Sequence, residues 1–260
     1  MANKRYVFFE AGGLGAYSAN LMIDSPNKLF IDINSEALRW WASAGYHTEE
    51  EGYYRPEKGD YIVPCDQYCR ERYGLETEGS SGDILHMNNK ATSFSIGKKY
   101  FKSLRVPRYF GGDVVVREVR SAGSAGLSII RKKDSLVCEY IKGVEYVIDF
   151  NTDYGLVFPR ATHLLKSGSD TSCTLVGRKN EHFKDFEVLV RDVCRAFNIR
   201  GVGNLQVIKA GVKYYFIEVA MRVSGSSFLN LECFGGNVIS GYHGNQDFYS
   251  RNCTTRPRIK

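Results

Sequence analysis

The sequence predicts an α/β region followed by a mixed α+β region, and three patterns carry this prediction. A short apolar strand over residues 5–10 is followed by a Gly-rich turn, a helix and a second strand that ends in Asp32. This order is typical of the start of a Rossmann-type unit. Farther along, a strongly amphipathic helix covers residues 183–197, and a β-hairpin follows it over residues 202–219.

The composition excludes several classes of protein. Of the 260 residues, 43% are hydrophobic and 25% are charged, which does not match disordered, collagen-like or fibrous chains. No apolar run has the length of a membrane helix, so we expect no membrane partner. The net charge of +6 is mild and suits a phosphorylated or acidic small ligand. It is not the dense basic stripe of a dedicated DNA-binding protein, so we expect no nucleic-acid partner.

The cysteines and the N-terminus predict a cytoplasmic protein. The N-terminal residues lead directly into the first strand, without the apolar region and cleavage site of a signal peptide. The seven cysteines are therefore expected to be reduced, buried thiols. Cys65 and Cys69 form a C-x3-C pair, but no second pair stands at the spacing of a zinc finger.

Residues 1–85 are predicted to form a reduced Rossmann-like domain. The second strand covers residues 28–33, and a helix follows over residues 35–44 with Ser35 as its N-cap. Residues 49–61 are polar and predict a loop. A Gly-Ser-rich stretch over residues 77–83 indicates a linker, which places a domain boundary near residue 85.

The Gly-rich turn leaves a dinucleotide-binding alternative open. Gly12, Gly13 and Gly15 form G-G-x-G rather than the full G-x-G-x-x-G, although Asp32 follows at the expected distance. We favour a Rossmann-like domain without a bound dinucleotide. An NAD(P)-dependent oxidoreductase is the alternative, and it leaves the motifs of residues 114–225 unexplained.

The second part of the chain alternates strands with two helices. A helix is predicted over residues 90–104, with Pro107 beyond its end. The predicted strands cover residues 113–119, 135–141, 145–150 and 156–165, before the helix and the hairpin named above.

Two polar residues of the hairpin are candidates for a metal site. Gln206 and Glu218 lie on adjacent antiparallel strands and share a face if the hairpin is staggered. Glu218 stands between Ile217 and Val219, where an unpartnered carboxylate would be costly to bury. Mg²⁺ is one natural partner for such oxygens. An exposed strand face with alternating acids is the alternative.

Two further segments have the composition of a nucleotide site. Arg117 leaves a strand and is followed by the small residues 121–126, whose backbone N–H groups could approach phosphate; an ordinary hairpin loop is the alternative. Glu139 and Glu145 flank a glycine turn and could accept hydrogen bonds from a nucleoside; a solvated strand pair is the alternative.

In their order and spacing, these segments resemble the ATP-grasp superfamily, and most closely its carbamoyl-phosphate synthase large-subunit-like branch. The segments that carry the resemblance run from Asn-Lys90-Ala-Thr to Arg222-Val-Ser-Gly-Ser-Ser, within residues 86–240. The resemblance implies an ATP-grasp domain over residues 86–260, after the shortened Rossmann-like domain. Two α+β lobes, about 112–142 and 143–250, would clamp ATP.

The resemblance also implies site residues, with ATP and Mg²⁺ as cofactors. The residues placed around ATP are Lys90, Arg117, Ser121, Gly123, Ser124, Gly126, Glu139, Tyr140, Ile141 and Glu145. Gln206 and Glu218 match the metal ligands. Arg222 matches the residue that stabilises the transferring phosphoryl group. Arg160 is expected to bind a substrate carboxylate, with a surface arginine as the alternative.

The implied activity is that of an ADP-forming carboxylate–amine ligase with small-molecule substrates. The sequence departs from the family pattern at Ala220, where the E-x-N-x-R motif has Asn, and at Gln206, which is neutral where many members are acidic. The N-terminal domain is also short and leaves little chain for substrate recognition. We therefore expect either a small acceptor, or a homodimer or a partner protein that completes the pocket. A nucleotide-binding or regulatory module without turnover is the alternative function.

Overall fold

The computed structural model describes residues 4–65, 80–82, 86–87, 89–108, 138–164 and 171–255. These residues form two sheets. In the first, four parallel strands have the order β3-β2-β1-β4. The elements of this region are β1 (Arg5–Phe8), α1 (Leu14–Met22), β2 (Lys28–Asp32), α2 (Ser35–Ser43), β3 (His47–Glu50) and β4 (Asp60–Ile62). The predicted α/β character of this region is confirmed.

Two details of this region differ from the prediction. The N-cap of α2 is Asn34 rather than Ser35, because the Asn34 side chain accepts a hydrogen bond of 2.9 Å from the backbone N–H of Glu36. The predicted loop over residues 49–61 begins inside β3. The sequence His-Thr-Glu-Glu of β3 has no apolar alternation, and the strand exists because its backbone pairs with β2.

The second sheet is larger and antiparallel. Its main path has the order β10-β9-β6-β7-β8-β11, and β5 also pairs with β9. The elements are β5 (Ser80–Ser81), α3 (Lys90–Tyr100), β6 (Val144–Asn151), β7 (Leu156–Leu164), β8 (Thr171–Val176), α4 (Phe183–Ala196), β9 (Arg200–Ala210), β10 (Lys213–Ala220), α5 (Phe228–Phe234) and β11 (Ser250–Thr255). The predicted α+β character is confirmed.

Helix α3 ends four residues before the predicted Leu104. The backbone N–H groups of Lys102 and Ser103 donate hydrogen bonds of 2.7 and 2.8 Å to the carboxylate of Asp192 on α4. Because these N–H groups donate to Asp192 and not to carbonyl groups of α3, the helix ends at Tyr100. The same hydrogen bonds connect the end of α3 to α4.

One face of the large sheet packs on α3 and α4 through a hydrophobic core. Phe186 and Val193 of α4 have no exposed surface, and they contact strand residues such as Ile148, Leu205 and Phe216. The apolar stripe of α4 predicted from the sequence is therefore the stripe that is buried.

The opposite face of the large sheet packs against the N-terminal region. Phe158 and Val202 share a cluster with Phe8 and Phe30 of the small sheet and with Val238. None of the described helices is long and apolar enough to span a membrane.

Candidate active site

Gln206 and Glu218 are direct cross-strand partners in the hairpin of β9 and β10. Phe216 pairs with Val207, but the next pair is Glu218 with Gln206, so Ile217 is an extra residue in β10. This bulge shifts the alternation by one residue. Phe216 therefore faces the apolar core, while Glu218 shares the opposite face with Gln206.

Lys90 adds a positive charge to this pair. Asn89 caps α3 by accepting a hydrogen bond of 3.1 Å from Thr92, so Lys90 is the first residue of the helix. Its Nζ lies 3.3 Å from Oε2 of Glu218, and both side chains are 33% exposed. Three predicted site residues, Lys90, Gln206 and Glu218, thus lie together.

Arg222 lies two residues beyond the end of β10 and is half-buried. One of its terminal nitrogens (Nη1) donates to the carbonyl oxygen of Val223 at 3.3 Å, and its own carbonyl oxygen accepts a 2.9 Å bond from Asn204. None of the described carboxylates forms an ion pair with Arg222. Its guanidinium charge is consequently not neutralised by that part of the chain.

Arg160 is completely buried, so the alternative of a surface arginine is wrong. Its guanidinium forms an ion pair with Asp149 and donates to Ser224 and, at 3.2 Å, to Ser226. Asp149 also accepts a 2.9 Å bond from Asn230 on α5. Through Ser224 and Ser226, this buried network connects the segment that follows Arg222 to the large sheet. The role of Arg160 as a ligand of a substrate carboxylate stays a prediction.

The segment predicted to bind the adenine ring, residues 139–141, contacts Arg108 through Glu139. The backbone N–H of Glu139 donates a 3.0 Å bond to the carbonyl oxygen of Arg108, and its carboxylate accepts a 3.2 Å bond from the Arg108 N–H. Tyr140 is 73% exposed, and Ile141 is half-buried. The predicted strand over residues 135–141 is wrong for residues 139–141, because β6 begins only at Val144.

Glu145 lies on the same sheet face as Gln206. It is two residues before Val147, which pairs directly with Gln206. Arg117, Ser121, Gly123, Ser124 and Gly126 lie outside the described residues, as does most of the predicted lid lobe. Their predicted roles stay predictions.

Three buried polar residues did not appear among the predicted site residues: Asn204 and Asp149 on this face of the sheet, and Asn230 on α5. Asn204 is two residues before Gln206, and Asp149 pairs with Asn204 across the strands. The two-residue period of a strand could have indicated both. Nothing local to α5 indicates that Asn230 reaches Asp149.

The Gly-rich turn serves packing within the protein. Asp32 accepts hydrogen bonds from the backbone N–H groups of Gly12 (2.7 Å) and Asn34 (2.8 Å) and is 8% exposed. A Cβ on Gly15 would lie 3.0 Å from the carbonyl oxygen of Cys65 and 3.3 Å from that of Val223. Asp32 thus fixes the turn, and the missing side chain of Gly15 lets the turn lie close to Val223, which favours the interpretation without a dinucleotide.

The cysteines depart in one respect from the expectation that all are reduced. Cys233 of α5 and Cys253 of β11 form a disulfide bond. Among the other described cysteines, Cys173 and Cys194 are free thiols. Burial raises the pKa of the Cys194 thiol to about 12, so this residue behaves as a small hydrophobic side chain.

No protein-family model matches the sequence, and no curated protein matches it either. Solved structures do match the fold. The chain is similar to a protein from Archaeoglobus fulgidus described as an ATP-grasp superfamily member, with a TM-score of 0.61, 13% identity and coverage of 97% of this chain and 92% of that one. It is also similar to phosphoribosylglycinamide synthetase from Anaerococcus prevotii, with a TM-score of 0.60, 12% identity and coverage of 98% and 80%.

A third similar structure is D-alanine–D-alanine ligase from Bacillus anthracis, with a TM-score of 0.56, 12% identity and coverage of 92% of this chain and 96% of that one. The chain therefore has the ATP-grasp fold, as the order of its motifs predicts. At these identities, the similarity establishes the fold alone.

Proposed function

We propose that this protein is an ATP-dependent, ADP-forming carboxylate–amine ligase. The observation that carries the proposal is the pairing of Gln206 with Glu218 beside Lys90 on one face of the large sheet. An ammonium group next to two oxygen ligands suits a metal-bound polyphosphate. Two proteins of the same fold are named as a synthetase and a ligase, which supports this class of reaction.

The donor set suits Mg²⁺ that arrives with a nucleotide. No described group of three or more His, Cys, Asp or Glu residues could hold a metal by itself. Glu218 and Gln206 offer one carboxylate and one amide oxygen, and Mg²⁺ commonly completes its shell with phosphate oxygens and water. When bound, the ion would neutralise charge on the phosphate oxygens.

The residues of the chain act mainly by position and charge. In the proposed reaction, a carboxylate oxygen of the substrate attacks the γ-phosphorus of ATP, and ADP leaves. An amine then attacks the acyl phosphate, loses a proton, and phosphate departs. Arg222 is proposed to stabilise the transferring phosphoryl group, since a planar guanidinium matches its oxygens. Lys90 and Arg117 would hold the polyphosphate.

The remaining predicted residues complete this proposal. The small residues Ser121, Gly123, Ser124 and Gly126 would cover the phosphates, Glu139–Ile141 would contact the base, and Glu145 would bind the ribose. We propose small-molecule carboxylate and amine substrates and a cytoplasmic setting. A homodimer or a partner protein is proposed to complete the pocket.

The test is ADP release with a panel of carboxylates and amines, with and without Mg²⁺. Glu218→Gln and Arg222→Ala are expected to lower turnover about 10²–10³-fold, as loss of one transition-state partner commonly does. Glu187→Gln, on α4 and also half-buried, is the matched control and should keep its turnover. Parent-level turnover in Glu218→Gln would show that the site is misassigned.

A nucleotide-binding module without turnover is the second candidate. Ala220 favours it, because this residue stands opposite Asn204 and contributes no ligand oxygen. Calorimetry with ATP and Mg²⁺ separates the candidates when it is combined with the ADP assay. Tight nucleotide binding without ADP release across the panel would support the module.

A further inference from the structure

Lys90 occupies a position where helix electrostatics disfavour a cation. It is the first residue of α3, and the positive end of a helix dipole favours acidic side chains there. Helix α3 has no acidic residue in its first turn. A lysine at this position consequently depends on an external anion, and the structure supplies Glu218.

Lys90 and a divalent cation would compete for the same carboxylate. The Nζ of Lys90 already lies 3.3 Å from Oε2 of Glu218. A metal ion on Glu218 would stand within a few ångströms of this ammonium, and like charges at such distances repel even where solvent screens them. Because both side chains are one-third exposed, the repulsion is moderate rather than prohibitive.

We propose that Lys90 is an electrostatic interlock that makes metal binding depend on nucleotide. Without nucleotide, the ammonium neutralises Glu218 and disfavours a metal ion. A polyphosphate draws Lys90 away and frees the carboxylate. This inference rests on the proposed function, since it takes Glu218 as the metal ligand.

The test measures the free protein with Mn²⁺ alone, followed by the electron paramagnetic resonance signal of the unbound ion. Lys90→Met should bind Mn²⁺ about fivefold more tightly than the parent, because a partly screened repulsion is removed. In metal-free buffer, the same variant should bind ADP about fivefold more weakly, because it has lost a phosphate partner. These opposite changes would not arise from a general loss of structure.

Two controls define the result. Lys99→Met removes the same charge from the last turn of α3 and should leave Mn²⁺ and ADP affinity unchanged. Adding Glu218→Gln to Lys90→Met should abolish the gain in Mn²⁺ affinity.

If the parent binds ADP but Lys90→Met binds Mn²⁺ no more tightly, the interlock is wrong and the proposed function stands. If the parent protein binds neither ADP nor the complex of ADP with Mn²⁺, both the interlock and the proposed function are wrong.

Discussion

The two faces of the large sheet are formed by the same strands but differ in polarity. One face presents Ile148, Leu205 and Phe216 to α3 and α4 and is apolar. The other carries Glu218 and Gln206, together with the buried network around Arg160. A strand gives alternate residues to each face. The bulge at Ile217 changes that alternation and brings Glu218 to the polar face. A local irregularity therefore decides on which face of the sheet the carboxylate of Glu218 lies.

The largest change in the free energy of unfolding is expected at the buried ion pair of the polar face. Asp149→Ala should lower the free energy of unfolding by about 3–5 kcal/mol, because it leaves the Arg160 guanidinium buried without its partner. Urea unfolding followed by circular dichroism measures this loss. Asp153→Ala, in the turn after β6, is the control and should change stability little.

A paired replacement sharpens this result. Asp149→Leu with Arg160→Met removes both charges, and it should recover much of the stability lost in Asp149→Ala. If the double variant is as unstable as the single one, the network stabilises through its shape and not through its charge balance.

A smaller loss of unfolding free energy is expected on the apolar face, where Asp192 of α4 contacts the end of α3. Asp192→Ala removes the acceptor of two backbone N–H groups after α3 and should cost about 1.5–3 kcal/mol. Because Lys90 is at the other end of α3, ADP affinity should also fall. An unchanged ADP affinity at reduced stability would show that the end of α3 does not position Lys90.

The smallest effect is expected for a single methylene in the apolar core. Ile148→Val should cost about 0.5–1.5 kcal/mol, since Ile148 has no exposed surface. Ile208→Val makes the same change in the neighbouring strand β9, at a half-buried position, and should cost less than about 0.5 kcal/mol. Equal losses in the two variants would contradict the contrast between the faces.

The features that the sequence predicts well are those with strong local patterns. The stripe of α4 and the hairpin of β9 and β10 follow from their periodicity, and the expected approach of Gln206 and Glu218 is confirmed. The one-residue bulge at Ile217 has no local signal, since it is visible only in the register between β9 and β10.

The missed elements depend on distant partners. The strands β3, β8 and β11 are short, and β3 and β11 are polar; their existence depends on pairing with neighbours in the sheets. The burial of Arg160 likewise depends on Asp149 and on Ser224, which is 64 positions farther along the chain. Local patterns cannot indicate such contacts.

The cluster between the two sheets has a consequence for the order of folding during synthesis. Phe8 and Phe30 leave the ribosome before the part of the chain that contains Val202 and Val238, with which they share a cluster. Until that part emerges, one side of the small sheet lacks its apolar cover, and exposed surface of this kind promotes aggregation. The growing chain should therefore expose this apolar surface until residues 202–238 have been synthesised.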